Sequence, residues 1–268
     1  MTNCYDVIVA GGGAAGMMAA ISAARMGAKT AILEHMDQAG KKLLVTGNGK
    51  CNFTNRAQGV EYYRGQDPAF VLPVLEQFGL EETLAFFQEI GIFPREKRGG
   101  YYYPASEQAS SVRQALLLEL ARLGVEIHYG IGIRSIQKRD SGIAQEPFSS
   151  GTGQFCFDTK QGMYYSSSCI IATGGKAAKK TGSDGSGVPY IKGFGHTVLP
   201  FMPALVQLKG EQPFLKELAG IRADARLTLF VEDAPIACDR GEVQLTDFGV
   251  SGILAFQVSR YAVYALKE

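Results

Sequence analysis

No charge of either sign dominates this sequence: 27 basic residues face 26 acidic ones, for a formal net charge of +1. Without an overall field, nothing favours nucleic acid or an anionic membrane as partner, and a small-molecule substrate becomes the expectation. Cysteine is sparse and scattered. Cys4, Cys51, Cys156, Cys169 and Cys238 are odd in number and form no Cys-x-x-Cys pair. That spacing argues against a disulfide framework, a thiolate zinc site and a redox-active dithiol, and it reads as reduced thiols in a cytoplasmic protein. Histidine is confined to His35, His128 and His196, without a thiol or carboxylate at ligand spacing, so no metal site is expected. Also missing are a Ser/His/Asp set, a paired-carboxylate site, a phosphate-binding P-loop, an internal repeat and a low-complexity tract.

Uninterrupted apolar runs are equally scarce. Val7 to Ala24 is uncharged over 18 residues, the length of a membrane-span candidate. Gly11, Gly12 and Gly13 break it, no basic residue precedes it, and much of the remainder is alanine. It divides better into a buried strand, a turn and a buried helix.

What is present is 46% hydrophobic residues over 268 positions, enough for one large domain and a second small one. Tyr5 to Ala10 predicts a strand, Ala14 to Met26 a helix ending at Gly27, and Lys29 to Leu33 a second strand: the crossover unit of a parallel α/β sheet. Gln38 to Asn55 is glycine-rich and polar, and predicts a loop. Helices are predicted around Pro68 to Phe78, Glu81 to Ile90 and Glu107 to Leu123, with a polar connection from Pro94 to Tyr103. Four strands follow, at Val125 to Tyr129, Ile131 to Lys138, Gln154 to Thr159 and Met163 to Ala172. The middle ones suggest an antiparallel meander and the last a return to the parallel sheet. Composition shifts near 197, where a domain boundary is placed. Beyond it, strands at Arg226 to Glu232 and Glu242 to Thr246 precede a helix from Ile253 to Lys267.

The strongest chemical signal lies between the first strand and helix, where Gly11, Gly13 and Gly16 satisfy G-x-G-x-x-G. The first glycine permits a tight turn, the second close approach to a pyrophosphate, and the third close packing of helix on strand. The helix N-terminus, at Ala14 and Ala15, offers oriented N–H donors. Glu34 ends the second strand 18 residues after Gly16, where a carboxylate can accept from both ribose hydroxyls and disfavours a 2′-phosphate. His35 beside it is placed over the ribose or adenine. This set predicts a bound dinucleotide and leaves FAD and NAD both open.

A second constellation runs from Gly40 to Asn55, GKKLLVTGNGKCNFTN. It is similar to the signature loop of the YhiN/BaiN-like flavoproteins, within the two-dinucleotide-binding superfamily of glutathione reductase type. Three more stretches resemble the same family: Tyr103 to Ser106 leading into Ala109 to Val112, Ala172 to Lys176, and Thr246 to Gly252. The resemblance implies a Rossmann-like FAD-binding domain over 1–196, parallel sheet plus antiparallel meander, and part of an inserted barrel and helical domain over 197–268. It also implies a flavin-dependent oxidoreductase using NAD(P)H, with a substrate that does not carry over from family members, among which unsaturated steroid reduction and amine oxidation occur. Lys42, Thr46, Gly47, Gly49, Lys50, Cys51, Asn52 and Thr54 would then pack along the pyrophosphate and toward the isoalloxazine. Lys42 and Lys50 would offset phosphate charge, and Asn52 and Thr54 would hydrogen-bond the ring. Thr173, Gly174 and Gly175 would approach the adenosine side, and Ile133 would offer backbone groups to the adenine. The family's C-terminal return to the cofactor has no counterpart after Ser251, which predicts a shortened cradle. A binding module without activity of its own is the alternative. Cys51 reads as packing rather than catalysis, and Arg95, Lys97 and Arg98 as a solvated basic loop or a site for an acidic substrate or NAD(P)H.

Overall fold

The computed structural model describes residues 3–139 and 154–267 and divides into two compact units, Met1–Val198 and Leu199–Glu268. In the first unit, β1 (Cys4–Ala10) sends Val9 into one core and Ile8 and Ala10 into another. That two-residue alternation marks a strand covered on both faces. Helix α1 (Ala14–Arg25) buries Gly16, Met17, Ala20 and Ile21 as one stripe, and Gly27 at φ +87° turns the chain out of it. β2 (Thr30–Leu33) pairs parallel with β1.

A small second sheet follows. β3 (Thr54–Asn55), β4 (Pro94–Lys97) and β5 (Tyr101–Pro104) form it, with α2 (Leu72–Gln77) and α3 (Leu80–Glu89) between the first two strands. The 94–103 segment, expected as a polar connection, is therefore a hairpin turned by Gly99 and Gly100, at φ +86° and +78°. Charge on three of the four β4 residues hides the strand, while the tyrosines of β5 carry the pairing. The helix expected over 68–78 is broken as well: Pro68–Val71 is a 3-10 turn and Pro73 opens α2 afresh.

α4 (Ala109–Arg122), β6 (Glu126–His128), β7 (Ile133–Lys138), β8 (Phe155–Thr159) and β9 (Gly162–Ile171) complete the main sheet, ordered β6-β2-β1-β9-β8-β7. β6, β2, β1 and β9 run parallel; β9, β8 and β7 form the antiparallel meander. One face carries Met17, Ile21, Phe86, Phe87, Leu116 and Leu120 from three helices, the other Ile136, Phe157 and Tyr164 of the meander. α5 (Val188–Gly193), absent from the sequence expectation, lies beside β7, with Tyr190 Oη donating to the Ile133 carbonyl at 2.6 Å. A six-residue helix opened by a proline is too short to show a period.

Buried Glu119 on α4 accepts from Arg122 of its own helix and from Arg25 of α1, and Arg25 also reaches Glu89 of α3. The hydrogen bond from Arg122, assisted by Arg25, holds the Glu119 carboxyl down at about 2. Three helices are thereby keyed to one another at the end of α1 remote from its glycine turn.

In the second unit, β10 (Leu208–Lys209), β11 (Arg222–Val231), β12 (Ala234–Thr246) and β13 (Gly249–Ser251) form a four-stranded antiparallel sheet, with α6 (Ile253–Ala265) packed on β12 and β11. The two strands expected here are portions of longer hairpin strands, turned at Glu232 and Asp233, both left-handed. Exposed charged residues along the hairpin interrupt the alternation that would have shown its length.

Candidate cofactor site

A cleft of about 650 Å³ opens at the carboxyl ends of β1, β2 and β9. At that edge the chain runs outward on either side of the first strand, and ligands of open α/β sheets gather there. Gly11 leaves β1 at φ +104°, and a Cβ on it would lie 2.6 Å from the Ala172 carbonyl oxygen at the end of β9. Gly16 is more tightly held still: its Cβ would sit 1.9 Å from the Gly11 carbonyl oxygen. Gly13 differs from both, because a Cβ there meets nothing within 4 Å. Only the middle glycine faces open space, the arrangement required for a ligand to come against bare backbone.

Gly13 is also the N-cap of α1, no side chain caps that terminus, and Ala14 and Ala15 line the cleft. The first-turn N–H groups have no intrahelical acceptor, so they form a positive pole aimed at the cleft floor. Glu34 closes one end. Its Oε2 accepts from the Gly12 N–H at 2.6 Å, its Oε1 from the Met36 N–H at 2.7 Å, and His35 Nδ1 stands 3.1 Å from Oε1. Its backbone is clamped too, N–H to the His128 carbonyl and carbonyl to the Ile131 N–H. That clamp brings Ile131 to Ile133 to the cleft wall.

The opposite wall comes from the signature loop and from the segment after β9. Lys42 Nζ donates to Ser183 Oγ at 2.5 Å and to the Ala177 carbonyl at 2.8 Å, joining the two. Thr46, Thr173 and Gly174 line the same cleft, and a Cβ on Gly174 would fall 2.7 Å from Ser183 Oγ. Among the anticipated residues, Gly11, Gly13, Ala14, Ala15, Glu34, His35, Lys42, Thr46, Ile133, Thr173 and Gly174 thus converge on one space.

The remaining anticipated residues do not line it. Gly16 is buried beneath the turn, and Gly175 hydrogen-bonds the Gly185 N–H. Lys50, expected to offset phosphate charge, instead pairs with Glu107 at 2.8 Å. Gly47, Gly49 and Cys51 belong to a turn in which four of five consecutive residues have positive φ: Gly47 +54°, Asn48 +56°, Gly49 +81° and Cys51 +57°. Thr54 is on β3 and accepts from Gln58 Nε2. Asn52 carries an oddity: its Nδ2 is buried with no hydrogen-bond partner. A buried orphan donor calls for an acceptor that the protein itself does not supply. Cys51 is fully buried in the helix-side core, and burial pushes its thiol up, so it is a packing residue and not a thiolate nucleophile.

Ser183, Asp184 and Tyr190 also line the cleft and were not anticipated as site residues. The Gly/Ser/Asp-rich run from Thr181 to Gly187 was the available signal, since such loops trade core-forming residues for polar contacts. No group of three or more metal-ligating side chains occurs among the described residues. No helix among them is long and apolar enough to cross a membrane.

The chain is similar to several known proteins. The 3-dehydro-bile acid delta(4,6)-reductase of Clostridium scindens is 42% identical over 262 residues, 97% of this chain and 61% of that protein. The ribosomal RNA dihydrouridine synthase of Escherichia coli is 27% identical over 260 residues, 96% of this chain and 61% of that one. The chain therefore spans about three fifths of the length of the curated relatives it matches. Among solved structures, the open conformation of a flavocytochrome c3 fumarate reductase shares the fold, with a TM-score of 0.59 at 13% identity over 83% of this chain and 47% of that one. The HI0933-like protein Rossmann domain matches residues 5–253, from the first strand of the sheet to the first residue of α6, and the chain belongs to that family.

Proposed function

We propose that this chain forms the FAD-binding portion of an oxidoreductase that saturates a carbon–carbon double bond in a small organic substrate, with NAD(P)H as the hydride source. The observation that carries the reading is the open face of Gly13 beside the uncapped N-terminus of α1. Backbone N–H groups there are free to receive a pyrophosphate, and Glu34 stands where a ribose would meet it. FAD, when bound, supplies the hydride acceptance and donation that no side chain of the cleft performs. The protein's own part is to bind, orient and shield. Lys42 fixes the wall of the cleft by tying its loop to Ser183, and the unpaired Nδ2 of Asn52 offers a donor to a carbonyl or ring nitrogen.

Two relatives support the choice of reaction. One is named as a delta(4,6)-reductase and the other as a synthase of a dihydro base, and both names describe loss of a ring double bond. All five cysteines are free, which favours the cytoplasm. Purified protein titrated with FAD tests the first half: a bound, yellow complex is expected. Anaerobic addition of NADPH or NADH tests the second: bleaching of the visible band is expected, and a band unchanged by both overturns the proposed donor.

A further inference from the structure

Outside the cleft, one cluster of side chains is left without a role. Strands β4 and β5 place Arg95 opposite Tyr103 and Lys97 opposite Tyr101, so two cations and two aromatic rings share one face of the hairpin. Lys50 of the signature loop joins them through Glu107. Its carboxylate lies 2.8 Å from Lys50 Nζ, 2.8 Å from Lys97 Nζ and 3.7 Å from Arg95 Nη1. Three cations converge on one carboxylate, which leaves two positive charges uncompensated. The other face of the hairpin is balanced, since Arg56 there has Glu96 as its own partner. Arg98, in the turn, is exposed and makes no ion pair among the described residues.

The cluster is positioned rather than loose. Glu107 holds a left-handed backbone at φ +52° just ahead of α4, a strained choice for a residue with a side chain. The Lys97 ammonium lies 5.0 Å from the centre of the Tyr103 ring, and Tyr103 abuts Gly47 closely enough that a Cβ there would come within 3.1 Å. The face is thus continuous with the 46–52 turn, yet none of its members lines the 650 Å³ cleft. Phosphates of a dinucleotide seated on Gly13 are served elsewhere, so these charges answer a different anion.

We propose that Arg95, Lys97 and Lys50, with the half-exposed ring of Tyr101 beside them, anchor the anionic group of the substrate, a carboxylate or a phosphate. The site rests on the oxidoreductase reading for its purpose. Its chemistry does not: side chains already ordered by Glu107 and Tyr103 lose little freedom on meeting an oxyanion, and the guanidinium offers a two-pronged contact. Glu107 sets the spacing of the cations and fixes the excess at two charges, which favours singly or doubly charged groups over long polyanions.

Isothermal titration of the full chain, with and without FAD, tests this with two matched pairs: sodium cholate against its methyl ester, and uridine 5′-monophosphate against uridine. At low salt the charged member of at least one pair is expected to bind about tenfold tighter than the neutral one, and the preference to shrink with added salt. The pair that responds identifies the source of the oxyanion. In the Arg95→Ala/Lys97→Ala variant the preference is expected to vanish; Arg95→Gln alone, a milder change, is expected to reduce it about threefold. Equal binding of charged and neutral members, or a preference that survives the double variant, overturns the proposal. FAD uptake is read separately and is expected to match between wild type and both variants. Failure of wild type to take up FAD removes the oxidoreductase reading while the charge preference is still scored on the flavin-free chain.

Discussion

The two glycine-rich turns of the first unit, 11–16 and 46–52, combine crowding and left-handed backbone in different proportions. In the first, the neighbours leave no room: Gly11 and Gly16 sit where a Cβ would strike a carbonyl oxygen at 2.6 and 1.9 Å. In the second, Gly47 is crowded too, a Cβ on it falling 2.6 Å from the Asn52 backbone nitrogen, but the run of unusual backbone is the larger feature. Left-handed φ values run through Gly47, Asn48, Gly49 and Cys51, and two of these are not glycine at all. Crowding produces a turn that cannot be altered without moving a strand and a helix. Backbone strain produces one that persists because the surroundings hold it, at a cost on the order of 1 kcal/mol for each non-glycine residue. The first turn shapes the site sterically; the second stores free energy beside it.

The widest separation between the two turns is expected from Gly16→Ala. A methyl group 1.9 Å from the Gly11 carbonyl forces α1 off the sheet, so a loss above about 4 kcal/mol is expected, read as insoluble expression or a collapsed thermal transition. A protein that melts normally with this change would remove the steric account of the first turn. Next in size, Gly13→Val is expected to leave the melting temperature unchanged and to weaken FAD on the order of 100-fold by titration, because the added carbons enter the open space. Retained affinity would mean that no pyrophosphate lies against that backbone.

Glu119→Gln loosens the far end of α1 and is expected to cost about 2 kcal/mol in urea denaturation, since Arg25 and Arg122 lose their charged acceptor. Its pH signature has a definite sign. The folded carboxyl is held at about 2 against an ordinary 4.5, so its stabilisation is complete above about pH 4.5 and is lost as pH falls toward 2. Wild type and variant should therefore converge in acid; a gap of constant size would assign the effect to packing alone. The smallest effect probes the second turn. At exposed, left-handed Asn48, Gly is expected to raise stability by about 0.5 kcal/mol and Ala to lower it by about 1 kcal/mol. Equal effects of the two substitutions on the melting temperature would argue against stored strain.

The same contrast explains how much could be read in advance. The first turn is legible because its glycines, strand, helix and Glu34 follow from sterics and spacing that any parallel crossover must obey. The main sheet was legible for a like reason: β1 and β2 are short apolar runs covered on both faces, and such runs between turn residues report buried parallel strands. The second turn gave no such handle, and only its resemblance to a known family singled it out. Its polar residues look like any solvent loop, and Lys50, Glu107 and Lys97 come together only after β4 and β5 have paired. That hairpin was itself missed because charged residues occupy most of β4. Ser183 and Tyr190 reach the cleft through the chain's return after β9, a long-range event that local pattern does not encode.

Glu34 shows how a single side chain constrains what this scaffold can become. Both of its oxygens hold backbone N–H groups of neighbouring turns before any nucleotide arrives. Replacing it to welcome a 2′-phosphate would release the Gly12 and Met36 amides at the same stroke, so ligand preference here is mortgaged to architecture. A designer seeking another nucleotide would have to rebuild the junction of β1 and β2 around a new acceptor, and neutral drift would meet the same barrier.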